Sequence, residues 1–203
     1  MKKLLVVLLM GTLVFAAVPL TLFGADKANP QKELVIADLN SGGNPNNLGG
    51  DFGTWNKEPI DTDAGSEMSF VKDDAKGNPS GYSVRLDYKV NTLNQTYSGF
   101  WMNFNGYDFT SYNTLNFYIK GDADAGFTKT VKIELRDTRN QPFNSYMVRG
   151  ITDQWQKISI PFNKFRGIGD WAHVDRFVVV FDDQNSRPKT GSIYIDQISI
   201  SNW

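Results

Sequence analysis

Hydrophobic and polar residues alternate with a period of two along several short stretches of this chain. In the clearest one, Val84, Leu86 and Tyr88 alternate with Arg85 and Asp87. Because successive side chains of a strand point to opposite faces of a sheet, this pattern predicts a strand with one buried face. The same alternation recurs at residues 100–105, 115–120 and 131–136.

The remaining β-rich runs complete an all-β pattern. Further strands are predicted at residues 34–38, 66–72, 143–148, 155–161, 176–181 and 192–201. Val178 to Val180 are apolar on both faces, which indicates a central strand. Turn residues such as Asn105-Gly106 separate the runs. About ten or eleven short strands without a long amphipathic helix predict an antiparallel β-sandwich, a jelly roll of the galactose-binding-domain-like type.

The N-terminus has the pattern of an export signal. Lys2 and Lys3 precede an apolar run from Leu4 to Val18 that is short for a transmembrane helix. We expect a signal peptide at residues 1–25, a short polar tether at 26–33 and one domain at 34–203, in a secreted or periplasmic protein. An uncleaved membrane anchor is the alternative. The chain has no cysteine, which excludes a lipidated cysteine and disulfides.

Charge and histidine content exclude several classes of function. The chain has 21 basic and 22 acidic residues, and removal of Lys2 and Lys3 would leave 19 basic residues and a net charge of about −3. Such a mildly acidic chain has no electrostatic footprint for nucleic acid or an anionic membrane. His173 is the only histidine, which argues against a Ser-His-Asp triad and multi-histidine metal sites.

A series of motifs, in a fixed order, resembles a known family. The motifs are Ile36-Ala37-Asp38, Asn47 to Gly50 with Gly53 and Trp55, Trp101, Asp108 to Leu115, Tyr118 to Asp122, Trp155 to Phe162, and Ile195 to Ile198. Their order and spacing resemble the galactose-binding-like jelly rolls, specifically family 11 carbohydrate-binding modules and the related complex I intermediate-associated proteins. The resemblance extends from Leu34 to the end of the chain.

The resemblance implies a function as well as a fold. It implies a non-catalytic module that binds a polysaccharide or oligosaccharide on the concave face of one sheet, without enzymatic activity. The alternative is a protein-interaction or assembly factor on the same scaffold, as in the complex I-associated relatives. A fold shared by many proteins does not choose between them.

The outward positions of the predicted strands supply candidate ligand-binding residues. Sugar rings stack on aromatic side chains, and their hydroxyls bond to nearby polar groups, so a groove needs both. The candidates are Arg85, Asp87, Trp101, Asn103, Tyr118, Lys132, Glu134 and Arg136, with Tyr146 added from a strand of uncertain phase. The alternative is that Trp101 and Tyr118 form a satellite cluster beneath a loop.

Other prominent residues have structural interpretations. Trp55, Trp155 and Phe162 are predicted to lie in the core, and Trp171 is interpreted equally well as a rim contact or a lid over the sandwich end. Asp182-Asp183 follows a strand, which favours a turn over a catalytic carboxylate pair.

The resemblance also implies a structural calcium ion near the sandwich edge. The matching positions are Asp38, Asn40 and Asp196, on the first and last strands. Asn40 stands where a glutamate is expected, which lowers the negative charge of the site. Calcium takes six to eight oxygen ligands, and the alternative for Asp196 is a carboxylate that accepts hydrogen bonds from neighbouring backbone.

Overall fold

The computed structural model describes residues 32–57, 64–72, 74–76, 80–139 and 145–203. The predicted signal peptide and residues 26–31 of the predicted tether lie outside the described residues. Within the described part of the chain, no helix is long and apolar enough to cross a membrane.

The described residues form two antiparallel sheets. The first contains β1 (Glu33–Ala37), β3 (Gly65–Lys72), β4 (Tyr82–Lys89), β6 (Thr114–Gly121), β9 (Gln156–Pro161) and β11 (Thr190–Ser201), in the order β3-β4-β11-β6-β9 with β1 also paired to β11. The second contains β2 (Phe52–Asn56), β5 (Tyr97–Tyr107), β7 (Thr130–Asp137), β8 (Ser145–Arg149) and β10 (Val174–Asp182), in the order β2-β5-β10-β7-β8. The predicted β-sandwich is confirmed.

Two local predictions were wrong. Residues 52–56 are not among the predicted strands, yet Phe52 to Asn56 form β2 and pair with Met102 to Ser98 of β5. Asn105-Gly106 was predicted to be a turn between strands, but both residues lie within β5 with positive φ angles of 55° and 66°. The β5–β10 register shifts at this point, so the Asn-Gly pair forms a bulge in a continuous strand.

Side chains from both sheets meet in one apolar core. Phe177 on β10 packs against Phe100 of its own sheet and against Phe117 of the facing sheet, with ring centroids 6.5 and 5.7 Å apart. All three rings are buried. The predicted central strand is confirmed, since Val178, Val179 and Val180 are buried in the middle strand of the second sheet.

Aromatic side chains close one end of the core. Trp171 stacks on Phe162 at 4.4 Å with an angle of 8° between the rings, and Phe162 stacks in turn on buried Phe109. Trp171 therefore acts as a lid, and Phe162 lies in the core as predicted. Buried Asp137 holds this loop, because it accepts hydrogen bonds from the backbone nitrogens of Gly169 and Asp170 at 3.2 Å.

Truncation of Phe177 should test the inter-sheet contact. We expect Phe177→Ala to lower the free energy of unfolding by about 3–5 kcal/mol, because it removes a buried ring between the two sheets. Leu93→Ala is the matched control, since Leu93 is fully exposed. Chemical denaturation of both variants measures the effect. Equal stability of the two variants would contradict the assignment of Phe177 to the core.

Candidate functional site

The candidate ligand residues do not share one face. Trp101, Asn103, Glu134 and Arg136 alternate with the core residues of β5 and β7, and they lie on the outer face of the second sheet. The prediction that all the candidate residues share one polar face was therefore wrong. Its other members, Arg85, Asp87 and Tyr118, lie on the outer face of the first sheet, on the opposite side of the sandwich. Alternation separates inward from outward residues but does not say which sheet a strand joins.

Tyr146 also lies away from the other candidates. It pairs with Ile133, whose side chain is in the core, so both residues point to the inner side of the second sheet. Tyr146 sits on edge strand β8 and stays 36% exposed. The sequence pattern left open which side of the strand Tyr146 occupies, and the structure places it on the inner side of the sheet.

The outer face of the second sheet carries a groove of about 470 Å³. Its lining residues are Trp55, Tyr97, Trp101, Asn103, Arg136, Arg176 and Val178. Tyr97, Arg176 and Val178 are not among the ligand-binding residues predicted from the sequence, and the predicted place of Trp55 in the core was wrong. The phase of β2 could have identified Trp55, because buried Phe52 places Gly53 and Trp55 on the outer face.

Each tryptophan of the groove lies opposite a glycine on the neighbouring strand. Trp101 of β5 pairs with Gly53 of β2, and Trp55 of β2 pairs with Gly99 of β5. A Cβ atom at Gly53 would lie 3.3 Å from the Trp101 ring, and one at Gly99 would lie 3.1 Å from Trp55 Nε1. The glycines thus leave space for the two indoles over the sheet.

Polar groups border the aromatic side chains. Arg176 Nε donates to Asn103 Oδ1 at 2.9 Å, and the guanidinium carbon lies 5.7 Å from the centre of the Trp101 ring. Tyr97 meets Trp55 edge to face at 5.7 Å and is 38% exposed. The groove therefore joins three half-buried or exposed aromatic rings to fixed hydrogen-bonding groups, as a site for a ligand with apolar and polar faces requires.

Sequence comparison gives the family of the chain. The model of the family described as carbohydrate binding domain 30 matches residues 46–202. This chain belongs to that family. No curated protein matches the chain significantly.

Solved structures of carbohydrate-binding modules share the fold of this family 30 module. One is the family 11 module of a cellulosomal cellulase of Clostridium thermocellum, with 18% identity, a TM-score of 0.58, and coverage of 83% of this chain and 94% of that one. Another is the Clostridium thermocellum family 11 module in complex with a β-1,3-1,4-mixed-linked tetrasaccharide, with 18% identity, a TM-score of 0.55, and coverage of 84% and 94%. Neither of these two structures is a complex I intermediate-associated protein.

The outer face of the first sheet of the module carries a closed polar network. Arg85 forms ion pairs with Asp87 and Asp122, each at 2.9 Å, and Asp122 also accepts a hydrogen bond from the Tyr194 hydroxyl. Arg85 donates to Ser192 as well, at 3.0 Å. These groups bond to one another, so the arrangement favours a role in holding β4 to β11.

Tyr118 and Trp155 belong to this first sheet too. The ammonium of Lys76 lies 5.5 Å from the Tyr118 ring, and that of Lys120 lies 5.2 Å from the Trp155 ring. Trp155 is half-buried on the outer side, so its predicted place in the core was wrong. Each of the two rings therefore has a lysine ammonium over one of its faces.

Asp38, directly after β1, lies near enough to Asp196 of β11 for the charge of one carboxylate to act on the other. Asp196 is fully buried and accepts hydrogen bonds from the backbone nitrogens of Lys76 at 2.6 Å and Gln197 at 2.7 Å. Burial raises the pKa of Asp196 to about 6, and the negative charge of Asp38 acts in the same direction. A buried carboxylate beside a second one is an arrangement that a cation would stabilise.

The side chains around Asp38 and Asp196 limit the number of ligands that they could offer a cation. Asn40 donates its backbone N–H to Asp38 Oδ1 at 3.2 Å, so it lies next to the pair. In the described part of the chain, no cluster of three or more His, Cys, Asp or Glu side chains forms a metal site. Calcium would fit, because it also takes amide, backbone carbonyl and water oxygens.

The remaining carboxylate candidates have structural partners. Asp182 Oδ1 accepts hydrogen bonds from the backbone nitrogens of Gln184 and Asn185 at 3.0 and 2.7 Å, so it caps the turn after β10 as predicted. The hydrogen bond from the Arg139 guanidinium lowers the pKa of Asp137. His173 lies in the loop and contacts Asp170 at 2.9 Å.

A side chain at Gly99 should displace the Trp55 ring from its position over the sheet. A Cβ atom at Gly99 would lie 2.0 Å from the Val179 carbonyl oxygen as well as against the Trp55 ring. We expect Gly99→Ala to lower the free energy of unfolding by about 1–3 kcal/mol, on the scale of overpacked sites, and to shift tryptophan fluorescence. Gly43→Ala is the control, because a Cβ there meets nothing within 4 Å. Two indistinguishable melting curves would contradict the packing described for Gly99.

Proposed function

We propose that this module binds a glycan in the groove on the outer face of the second sheet. The observation that carries the proposal is the pairing of Trp55 and Trp101 with glycines, which leaves two indole rings over the sheet beside Asn103 and Arg176. Membership of a carbohydrate-binding family supports the same ligand class.

Binding would use stacking and hydrogen bonding together. The C–H faces of the sugar rings would lie on Trp55 and Trp101, and sugar hydroxyls would bond to Asn103 and Arg176. Because Asn103 and Arg176 already hold each other at 2.9 Å, little side-chain freedom is lost on binding. The fixed geometry therefore favours binding with little conformational change.

We propose that the module holds its glycan without cleaving it. Most glycoside hydrolases use two carboxylates on either side of the scissile bond. The residues described as lining the groove include no Asp or Glu. The carboxylate of Glu134, beside the groove, is engaged by Arg136 at 2.8 Å and Lys132 at 3.5 Å.

Removing one indole should abolish binding. We expect Trp101→Ala to eliminate retardation in affinity gels that contain mixed-linkage β-glucan or another polysaccharide that retards the wild type. Its melting temperature should stay within a few degrees of the wild-type value, because the ring lies on the outer face and not between the sheets. Mixed-linkage glucan is a reasonable first probe, since a module of this fold was solved with such a tetrasaccharide.

Trp155→Ala is the matched control for this experiment. It removes the same side chain from the outer face of the opposite sheet and should leave retardation unchanged. Loss of binding in Trp155→Ala but not in Trp101→Ala would move the site to the first sheet, where Arg85 and Tyr118 lie. If Trp101→Ala instead lowered the free energy of unfolding by about 3–5 kcal/mol, the Trp101 ring would be part of the core.

We further propose that calcium binds at Asp38, Asn40 and Asp196. The ion would neutralise the buried Asp196 carboxylate and link the segment after β1 to β11, the central strand of the first sheet. The support is the proximity of the two carboxylates and the complete burial of one of them.

Removal of calcium should destabilise the module. A ligand present at 100 times its dissociation constant stabilises the native state by about 2.7 kcal/mol, so EDTA should lower the melting temperature by about 5–10 °C. Asp196→Asn should abolish the response to EDTA, whereas Asp153→Asn, at an exposed loop position, should retain it. A wild-type melting curve that EDTA leaves unchanged would argue against the ion.

We also propose that the protein is exported before it meets its glycan. The basic residues Lys2 and Lys3, followed by the apolar run Leu4 to Val18, support a secretory signal. Mass determination of the mature protein from a secreting host tests this, and a mass that includes residues 1–25 would contradict cleavage at the expected position.

A further inference from the structure

Two arginines face each other across neighbouring strands of the groove. Arg176 of β10 pairs in register with Arg136 of β7 and, on its other side, with Asn103 of β5. Directly opposed residues have Cβ atoms about 4.5–5.5 Å apart, and like charges at that distance destabilise a sheet. The second sheet therefore places two arginine side chains on adjacent strands of one face.

Acidic neighbours offset these charges only in part. Glu134 is shared between Arg136 at 2.8 Å and Lys132 at 3.5 Å, so one carboxylate faces two cations. Arg176 has its short hydrogen bond with the neutral amide of Asn103, and its contact with the Asp175 carboxylate is longer, at 3.8 Å. Among the described residues, three cationic side chains, Arg136, Arg176 and Lys132, thus lie beside two carboxylates, Glu134 and Asp175.

The charged residues that line the groove are opposite in sign to the net charge of the whole chain. The sequence has a formal net charge of −1, whereas the residues described as lining the groove include two arginines and no Asp or Glu. A cleft lined with one sign of charge concentrates ligands of the other sign. Arginines placed in the groove would thus favour an anionic ligand there, which a general excess of basic residues would not do.

We propose that the glycan recognised by this module is acidic. A carboxylate or sulfate group on the sugar would bind Arg136 and Arg176, while the sugar ring stacks on Trp101. The Arg176 guanidinium carbon lies 5.7 Å from the centre of the Trp101 ring, so both groups reach the same sugar or its neighbour. Planar guanidinium groups match the geometry of such oxyanions. This inference rests on the proposed binding groove.

Polymers with one backbone and different charges provide the test. Affinity gels would contain hydroxyethylcellulose, carboxymethylcellulose or cellulose sulfate, with polygalacturonate and its carboxyl-reduced form as a second pair. We expect at least one anionic polymer to bind at least about tenfold more tightly than its neutral counterpart, a difference of about 1.4 kcal/mol. Binding should weaken as salt rises, because salt screens exposed charges. Comparison of carboxymethylcellulose with cellulose sulfate shows whether the module prefers a carboxylate or a sulfate group.

Variants link the preference to the arginines. Arg176→Gln replaces the charged guanidinium by a neutral amide that can still form hydrogen bonds, and it should erase the difference between anionic and neutral polymers. Lys157→Gln is the control, since Lys157 is exposed on the outer face of the first sheet. Equal, salt-independent binding of neutral and anionic polymers would overturn the acidic-glycan inference and leave the groove intact. Absence of retardation by every polymer with a folded wild-type protein would overturn the proposed function itself.

Discussion

The groove depends on the packing of β10 against the facing sheet. Phe177, Val179 and Phe181 are buried on the inner side of this strand, and Phe177 contacts Phe117 across the sandwich. Because side chains alternate along a strand, burial of these residues fixes Arg176 and Val178 on the outer side. A slip of one residue would exchange the two sets, so the inter-sheet core also sets the register of the candidate site.

The two outer faces of the sandwich differ in how their polar groups are used. On the first sheet, Arg85 contacts carboxylates on both sides and Tyr194 donates to one of them, so charges and hydrogen bonds are matched within the face. On the second sheet, Arg176 and Arg136 face each other beside half-buried aromatic rings. The first face therefore joins β4 to β11 through matched charges, whereas the second places two arginines beside half-buried aromatic rings.

Glycines give the second face its aromatic character. A side chain opposite each tryptophan would lift the indole away from the sheet or displace it, as the 3.3 Å approach at Gly53 indicates. The aromatic platform therefore arises from pairs of residues on β2 and β5, and neither a tryptophan nor a glycine would produce it alone.

The sequence by itself determined the fold class, most strands and the inward or outward direction of their side chains. Val84, Ile133 and Phe177 are buried, while Arg85, Glu134 and Arg176 point outward, because a period of two is a local property of the backbone. The order of motifs was also sufficient to indicate a carbohydrate-binding module.

Only the tertiary structure decided which outward residues share a face. Trp55, Trp101, Arg136 and Arg176 come from four different strands, and their proximity depends on long-range pairing of β2 with β5, β5 with β10, and β10 with β7. Alternation assigns Arg85 and Arg136 the same outward direction, yet they lie on opposite sides of the sandwich. Backbone hydrogen bonds between strands are the same for every sequence, so the choice of partner strand is made by packing of the whole core and not by any local pattern.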